Sequence, residues 1–161
     1  MTISDALTCA GLVLNPGLSA QEKLAFKLFE AVFESDEVQN HSYSVMLTGH
    51  SLGGALASMV SRVSGCTAVT INGADGLAID KINDILGETQ EEYQISNYMT
   101  SPKNSKFSLL DLVQRLMFLG SYKAVDCHVY SGNGLTTDTH SVFSFLTFPN
   151  DDFSNPEIPD L

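Results

Sequence analysis

Basic side chains are scarce in this sequence. Its 161 residues include eight Lys and Arg against 19 Asp and Glu, which gives a formal net charge of −11. A surface this negative repels the phosphates of nucleic acids, so we expect no nucleic-acid partner. The segment Met1–Ala10 contains no Lys or Arg and therefore lacks the positive segment that opens a secretory signal peptide. We expect a cytoplasmic protein, or one exported without a cleavable signal peptide.

Long apolar runs and paired cysteines are also lacking. No run approaches the roughly 20 apolar residues that cross a bilayer, so no transmembrane segment is expected. The three cysteines, Cys9, Cys66 and Cys127, form no C-x-x-C motif and no even set. This pattern argues against a disulfide framework and against a structural metal site. We interpret Cys66 and Cys127, which lie in apolar runs, as buried free thiols.

The sequence does contain an alternation of strand-like and helix-like segments. Ser19 and Glu22 form a capping box, and apolar residues then recur every three or four positions, which predicts a helix to about Ser35. Four short β-favouring runs cover 43–48, 66–71, 93–99 and 123–130. Further helices are predicted over 52–63, 79–86 and 108–119, and from about Ser141. The alternation predicts an α/β fold with a mainly parallel sheet and flanking helices, as one domain over 1–148 with a loose tail over 149–161.

The segment Leu47–Ala57, LTGHSLGGALA, carries the motif with chemical meaning. It fits the G-x-S-x-G nucleophile elbow, in which a sharp turn between a strand and a helix holds a serine in a strained conformation. Gly49 and Gly53 occupy the positions at which such a turn leaves no room for a Cβ. The turn would present the Ser51 hydroxyl at the carboxyl end of the strand and aim the backbone N–H of Leu52 at a developing oxyanion. Ser51 is therefore the predicted nucleophile.

A serine nucleophile needs a base, and four histidines are candidates. His41 precedes the elbow strand and suits a surface or capping role. His50 is adjacent to the serine in a tight turn and points elsewhere, and His128 lies inside an apolar run typical of a core strand. His140 follows the last predicted strand in a loop before an apolar helix, where the chain order Ser, acid, His places the base. We predict His140 as the base.

The acid that orients the imidazole has more than one candidate. It should follow one of the two strands between the serine and the histidine. Asp75 follows the second strand, whereas Asp111 lies beyond the third, inside the helix predicted over 108–119. Asp138 is too near His140 along the chain to reach the far side of its ring. Asp111 and Asp75 stay open as alternatives.

LTGHSLGGALA resembles the elbow of the class-three lipases and related lipase-like α/β hydrolases, in which GHSLGGALA is a hallmark. VTINGADGL (69–77), ISNYMTSP (95–102) and His140 before an apolar helix follow the element order of that family, so the resemblance covers roughly 24–146. It implies an α/β-hydrolase fold and hydrolysis of carboxylic esters of lipids or related acyl substrates, through an acyl-enzyme on the serine. The resemblance implies no metal and no organic cofactor.

The chain departs from that family ahead of the elbow. The family's fold normally places several strands before the elbow strand, and a loop from that region supplies the second oxyanion donor. Here 42 residues precede Tyr43, most of them in one predicted helix, so we expect a minimal or N-terminally truncated version of the fold. Besides the enzyme hypothesis, this departure supports an alternative, a catalytically weak lipase-like module that binds a partner. The elbow strand would lie close to a sheet edge, which favours self-association.

Overall fold

The computed structural model describes residues 17–41, 43–87, 93–101 and 125–131. Their elements, in chain order, are the helices α1 (Ala20–Phe33) and α2 (Asp36–His41), β1 (Leu47–His50), α3 (Leu52–Ser64), β2 (Ala68–Ile71), α4 (Asp75–Leu86), β3 (Ile95–Ser101) and β4 (Asp126–Ser131). Several predicted features lie outside the described residues: Cys9, the helices over 108–119 and from Ser141, and the tail over 149–161.

The four strands form one sheet in the order β1-β2-β3-β4, and every neighbouring pair is parallel. Parallel strands need a crossover connection, and α3 and α4 provide it between β1 and β2 and between β2 and β3. The register places four residues in line near the carboxyl ends of the strands, His50, Ile71, Tyr98 and His128. The prediction of an α/β fold with a parallel sheet and flanking helices is confirmed.

Strand β1 is shifted from the predicted run 43–48. Its pairing with β2 begins at Leu47, opposite Ala68, and continues to His50, opposite Ile71. Residues 43–46 come before the first paired residue, Leu47, so they take no part in the ladder between β1 and β2. Apolar composition located the strand, but the length of the partner strand set its bounds.

Helix α1 is anchored at its N-terminus by buried charge. The Ser19 hydroxyl accepts the Glu22 N–H at 3.3 Å, and the Glu22 carboxylate accepts the Ser19 N–H, which confirms the capping box. That carboxylate is fully buried and accepts two hydrogen bonds from the Lys81 ammonium of α4, at 2.8 and 3.0 Å. Leu24 and Leu28 on the apolar face of α1 nevertheless remain 65% exposed. The buried ion pair and the packing of Phe26 on the core formed by α3 and α4 attach the helix to the rest of the fold.

The core lies between α3, α4 and the sheet. One cluster joins the two helices through buried side chains of Ala55, Met59, Ala74, Ala78 and Ile82. A second cluster joins α4 to β2 and β3 through Ala68, Ile79 and Ile95. Small side chains dominate at these contacts, so α3 and α4 approach closely and hold the β1–α3 turn against the β2–α4 turn.

Two of the three cysteines lie within the described residues. Cys66 and Cys127 are free and half-buried, and burial, assisted by the carboxylates of Asp75 and Asp126, raises the pKa of Cys127 to about 12. Within the described ranges, no helix combines the length and apolarity required to span a bilayer. The same residues hold no cluster of three or more side chains suited to bind a metal ion.

Candidate active site

Ser51 alone forms the turn between β1 and α3, since the strand ends at His50 and the helix begins at Leu52. Its φ of 56° and ψ of −120° lie in a region that a residue with a side chain rarely occupies. The backbone is held from both sides: the Ser51 N–H donates to the Ile71 carbonyl at 3.1 Å, and its own carbonyl accepts the Ala55 N–H at 3.2 Å. The turn therefore has the strained geometry that the elbow motif predicted.

The glycines around Ser51 have different roles. A Cβ on Gly49 would lie 2.2 Å from the Gly53 carbonyl oxygen, so the turn tolerates no side chain there. Among the described residues, a Cβ on Gly53 would meet nothing within 4 Å, so within this part of the chain the turn does not impose the predicted steric need for Gly53. Gly54 is the second tight position, because its Cβ would lie 2.8 Å from the Cα of Gly73. The close approach of α3 to the β2–α4 turn, not the elbow itself, thus accounts for one glycine of the motif.

The N-terminus of α3 directly follows the serine. Leu52 is the first residue of this 13-residue helix. Among the described residues, no hydrogen bond engages its N–H, as expected for the first turn of a helix. The Ser51 side chain makes no capping hydrogen bond to the helix. A backbone donor at the positive end of the helix dipole suits the stabilisation of an oxyanion formed on an acyl group.

Three of the four histidines, His41, His50 and His128, lie within the described residues. His41 is exposed, stacks on Tyr43 with ring centroids 5.3 Å apart, and ends α2 with its Nδ1 3.0 Å from the Glu37 carbonyl oxygen. This agrees with the predicted surface role. His50 is half-buried at the end of β1, on the amino side of Ser51.

His128 differs from its prediction as a core histidine. Its side chain is 36% exposed, stacks on Tyr98 with ring centroids 4.8 Å apart, and lies with Nε2 3.2 Å from Oδ2 of Asp126. The apolar residues around His128 belong to strand β4, but the His128 side chain lies on a sheet face that is only partly covered. Strand β4 is three strands from β1, and neighbouring strands are about 4.8 Å apart. His128 therefore lies roughly 14 Å from β1 across the sheet and does not reach Ser51.

Asp75 begins α4 and is completely buried. Its carboxylate accepts a hydrogen bond from the Thr70 hydroxyl, and the Ser58 hydroxyl of α3 lies close to the same carboxylate. Burial raises the pKa of Asp75 to about 6, with the Thr70 and Ser58 hydroxyls acting in the opposite direction. The carboxylate also lies close to Gly73 and Gly54, within 3.4 Å of a Cβ built on either. It fills the space between α3, β2 and the turn before α4.

The sequence did not single out Asn97, which organises the turn beside Asp75. Its buried side-chain amide donates to the Gly73 carbonyl at 3.0 Å and accepts the Gly73 N–H at 3.2 Å. Asn72, the residue directly before Gly73, has a φ of 46°. A signal existed in the alternation of β3, because Asn97 occupies the inward position between the buried Ile95 and Met99. A polar residue at an inward position indicates a specific hydrogen-bond partner.

The predicted base His140 and the alternative acid Asp111 lie outside the described residues, and both stay predictions. The described site therefore consists of a strained serine, a helix N-terminal donor and a buried carboxylate behind the turn.

Comparison with known proteins identifies a family that matches this chain. Residues 29–135, about two thirds of the chain, match the phospholipase-like family described as the Tle-like phospholipase domain. The match runs from the middle of α1 to just beyond β4, so it includes Ser51 and Asp75 and ends before His140. Searches of curated proteins and of solved structures gave no match.

Proposed function

This chain belongs to the family of Tle-like phospholipase domains, and from that premise we propose that it hydrolyses carboxylic esters of lipids through an acyl-enzyme on Ser51. The family supports lipid-ester hydrolysis in general. The observation that supports Ser51 in particular is its strained turn, with a φ of 56°, at the N-terminus of α3 and within the matched residues. Strain of this kind is concentrated at functional sites.

In the proposed reaction, the Ser51 Oγ attacks the ester carbonyl carbon while His140 accepts the hydroxyl proton. The Leu52 N–H donates to the carbonyl oxygen as it becomes negative. The tetrahedral intermediate then collapses, and the alcohol leaves with the proton held by His140. Water attacks the acyl-enzyme by the same route, with His140 again as the base, and releases the fatty acid and Ser51.

The acid partner of His140 has two candidates, and the structure bears on one of them. Asp75 is completely buried between α3, β2 and the turn before α4, and one of its carboxylate oxygens already accepts the Thr70 hydroxyl. This supports Asp111 as the acid and a structural role for Asp75. Asp111→Asn should then lower kcat strongly without loss of fold, while Asp75→Asn should leave kcat within a few-fold of the parent.

An active-site probe tests the nucleophile directly. The pure protein is incubated with a fluorophosphonate, and the adduct is located by mass spectrometry of peptides. We expect one adduct, on Ser51, and none in Ser51→Ala. Ser44→Ala is the matched control, since Ser44 is an exposed serine just ahead of β1, and this variant should label like the parent.

A substrate assay complements the probe. Release of fatty acid from mixed micelles of phosphatidylcholine is followed by titration, and Ser51→Ala should reduce the rate at least about a thousandfold. Labelling of a different serine would overturn the assignment of Ser51. A folded protein that neither labels nor releases fatty acid at any pH from 5 to about 9 would instead favour a catalytically weak, lipase-like binding module.

A further inference from the structure

In the described part of the chain, an edge strand of the sheet and an exposed helix face lie side by side. Strand β1 is at one end of the sheet order, and within the described residues it pairs with β2 alone. Just ahead of it and within it, Tyr43, Met46 and Thr48 are exposed, the first two by 60% and 63%. Proteins usually protect such an edge with Lys, Pro or a bulge, but the segment 43–48 contains no Lys and no Pro.

Helix α1 presents an apolar stripe beside this edge. Leu24, Leu28 and Val32 follow each other at four-residue spacing and are 65%, 65% and 45% exposed. Between α1, β1 and α3 runs a groove of about 340 Å³ lined by apolar side chains, among them Leu28, Val32, Met46, Leu56 and Val60. An exposed apolar stripe that borders an apolar groove on one side of a small domain is typical of a protein interface.

We propose that the occupant of this surface is a second copy of the same chain, in a two-fold dimer. Charges on α1 support this choice over another partner. The exposed Lys23 and Lys27 precede the middle of the helix, and the exposed Glu30 and Glu34 follow it. When α1 packs antiparallel on its copy about the midpoint of Leu28 and Phe29, Lys23 lies opposite Glu34 and Lys27 lies opposite Glu30.

A single symmetry axis satisfies both features. An axis perpendicular to the sheet and beside β1 brings two β1 edges together as antiparallel neighbours, which extends the sheet through both copies. The same axis makes the two α1 helices antiparallel on the same face of the sheet, with the part of α1 that borders β1 through Leu28 and Val32 nearest the axis. At about 100° per residue the four charges share one flank of α1, next to the apolar stripe, and this axis would place that flank alongside the same flank of the copy. The exposed strand edge, the apolar stripe and the charge order thus all fit one arrangement.

The charges set orientation more than affinity, since exposed ion pairs contribute little, whereas the apolar stripe supplies the affinity. Association of the full chain is measured by sedimentation velocity from low to high micromolar concentration. We expect a concentration-dependent dimer, and Leu28→Asp should raise its dissociation constant at least about tenfold. Asp84→Lys, at an exposed position of α4 away from the edge, is the control and should associate like the parent.

Charge reversal gives a readout that loss of fold cannot imitate. Lys23→Glu with Lys27→Glu should weaken the dimer, and so should Glu30→Lys with Glu34→Lys. All four substitutions together restore the opposite charges across the axis, so this variant should dimerise like the parent. An equimolar mixture of the two double variants should form heterodimers.

Two results would overturn the proposal. One is a monomer throughout the concentration range, which would leave the surface to a different polypeptide segment. The other is a dimer that neither Leu28→Asp nor the charge reversals weaken, which would place the interface elsewhere. Circular dichroism of every variant establishes that the fold is retained.

Discussion

Gly49 and Gly53 flank Ser51 at equal distance in the sequence, yet their surroundings differ. Gly49→Ala would place a Cβ 2.2 Å from a backbone oxygen that cannot move without breaking the turn. We expect it to lower the free energy of unfolding by about 2–4 kcal/mol and to abolish fluorophosphonate labelling. Gly53→Ala adds a methyl group in open space, so it should change stability by less than about 1 kcal/mol and keep labelling. Chemical denaturation and the probe assay measure both.

Equal destabilisation by the two alanine variants would contradict this distinction. It would show that the space beside Gly53 is needed for substrate or for a segment outside the described residues. The motif predicted both glycines for one steric reason, because sequence spacing is symmetric about the serine. The structure is not symmetric: the strand side is closed by the incoming helix, and the helix side is open.

Asp75 makes stability depend on pH. Its pKa is about 6 in the fold and near 3.8 in the unfolded chain, so between these values the folded state binds more protons. Stability from this group is therefore full below about pH 4 and is lost as pH rises through 6. The loss is on the order of 3 kcal/mol for a shift of this size. Asp75→Asn carries no such penalty, so it should be more stable than the parent at pH 8 and similar to it at pH 4.

The measurement is the difference in unfolding free energy between variant and parent at each pH, which cancels the contributions of other groups. Asp80→Asn is the matched control, an exposed aspartate on the same helix, and its difference should be flat. If Asp75→Asn is instead less stable than the parent at pH 8, then the ionised carboxylate is held by donors that outweigh its burial. A strong loss of kcat in a stable Asp75→Asn would restore Asp75 as the triad acid.

At the scale of elements, the attachment of α1 depends on the Glu22–Lys81 pair. Burial alone would raise the pKa of Glu22, but hydrogen bonds from Lys81 and Ser19 lower it below its usual value. Glu22→Gln leaves the buried Lys81 ammonium without its partner and should cost about 3–5 kcal/mol. Glu30→Gln, at an exposed position of the same helix, should cost less than about 0.5 kcal/mol.

A double-mutant cycle separates the ion pair from helix packing. Combining Glu22→Gln with Lys81→Met removes both charges, so the double variant should recover part of the stability that Glu22→Gln loses. Additive losses would mean that the two side chains act independently. Because the folded pKa of Glu22 is lowered, its stabilisation is present above about pH 4.5 and is lost as pH falls further, opposite in sign to Asp75.

Elements were easier to predict than their contacts. The capping box at Ser19, the helix after Ser51 and the parallel order of strands all follow from local patterns of residues, and the structure contains them. The partner of Glu22 is 59 residues away and that of Asn97 is 24 residues away, and no periodicity encodes such pairs. The apolar spacing of α1 predicted a face but not what covers it. Long-range pairing and coverage depend on the assembled fold, which local patterns do not contain.

At the scale of the whole molecule, the net charge of −11 acts on any lipid surface that the protein approaches. Proposed catalysis on aggregated lipid requires the protein to reach that surface first. An anionic vesicle repels a strongly negative protein, whereas a zwitterionic vesicle does not. With the same acyl chains, hydrolysis at low salt should therefore be slower on phosphatidylglycerol than on phosphatidylcholine.

Salt distinguishes this long-range effect from headgroup recognition at the site. Raising ionic strength from about 10 mM to about 150 mM shortens the screening length from about 30 Å to about 8 Å, so the deficit on phosphatidylglycerol should shrink over this range. Fatty-acid release from the two vesicle types is compared at each salt concentration, with Ser51→Ala as the blank. A preference for phosphatidylcholine that salt does not change would indicate that the site reads the headgroup. Faster hydrolysis of phosphatidylglycerol at low salt would contradict repulsion, because it would require a local basic surface that outweighs the net charge.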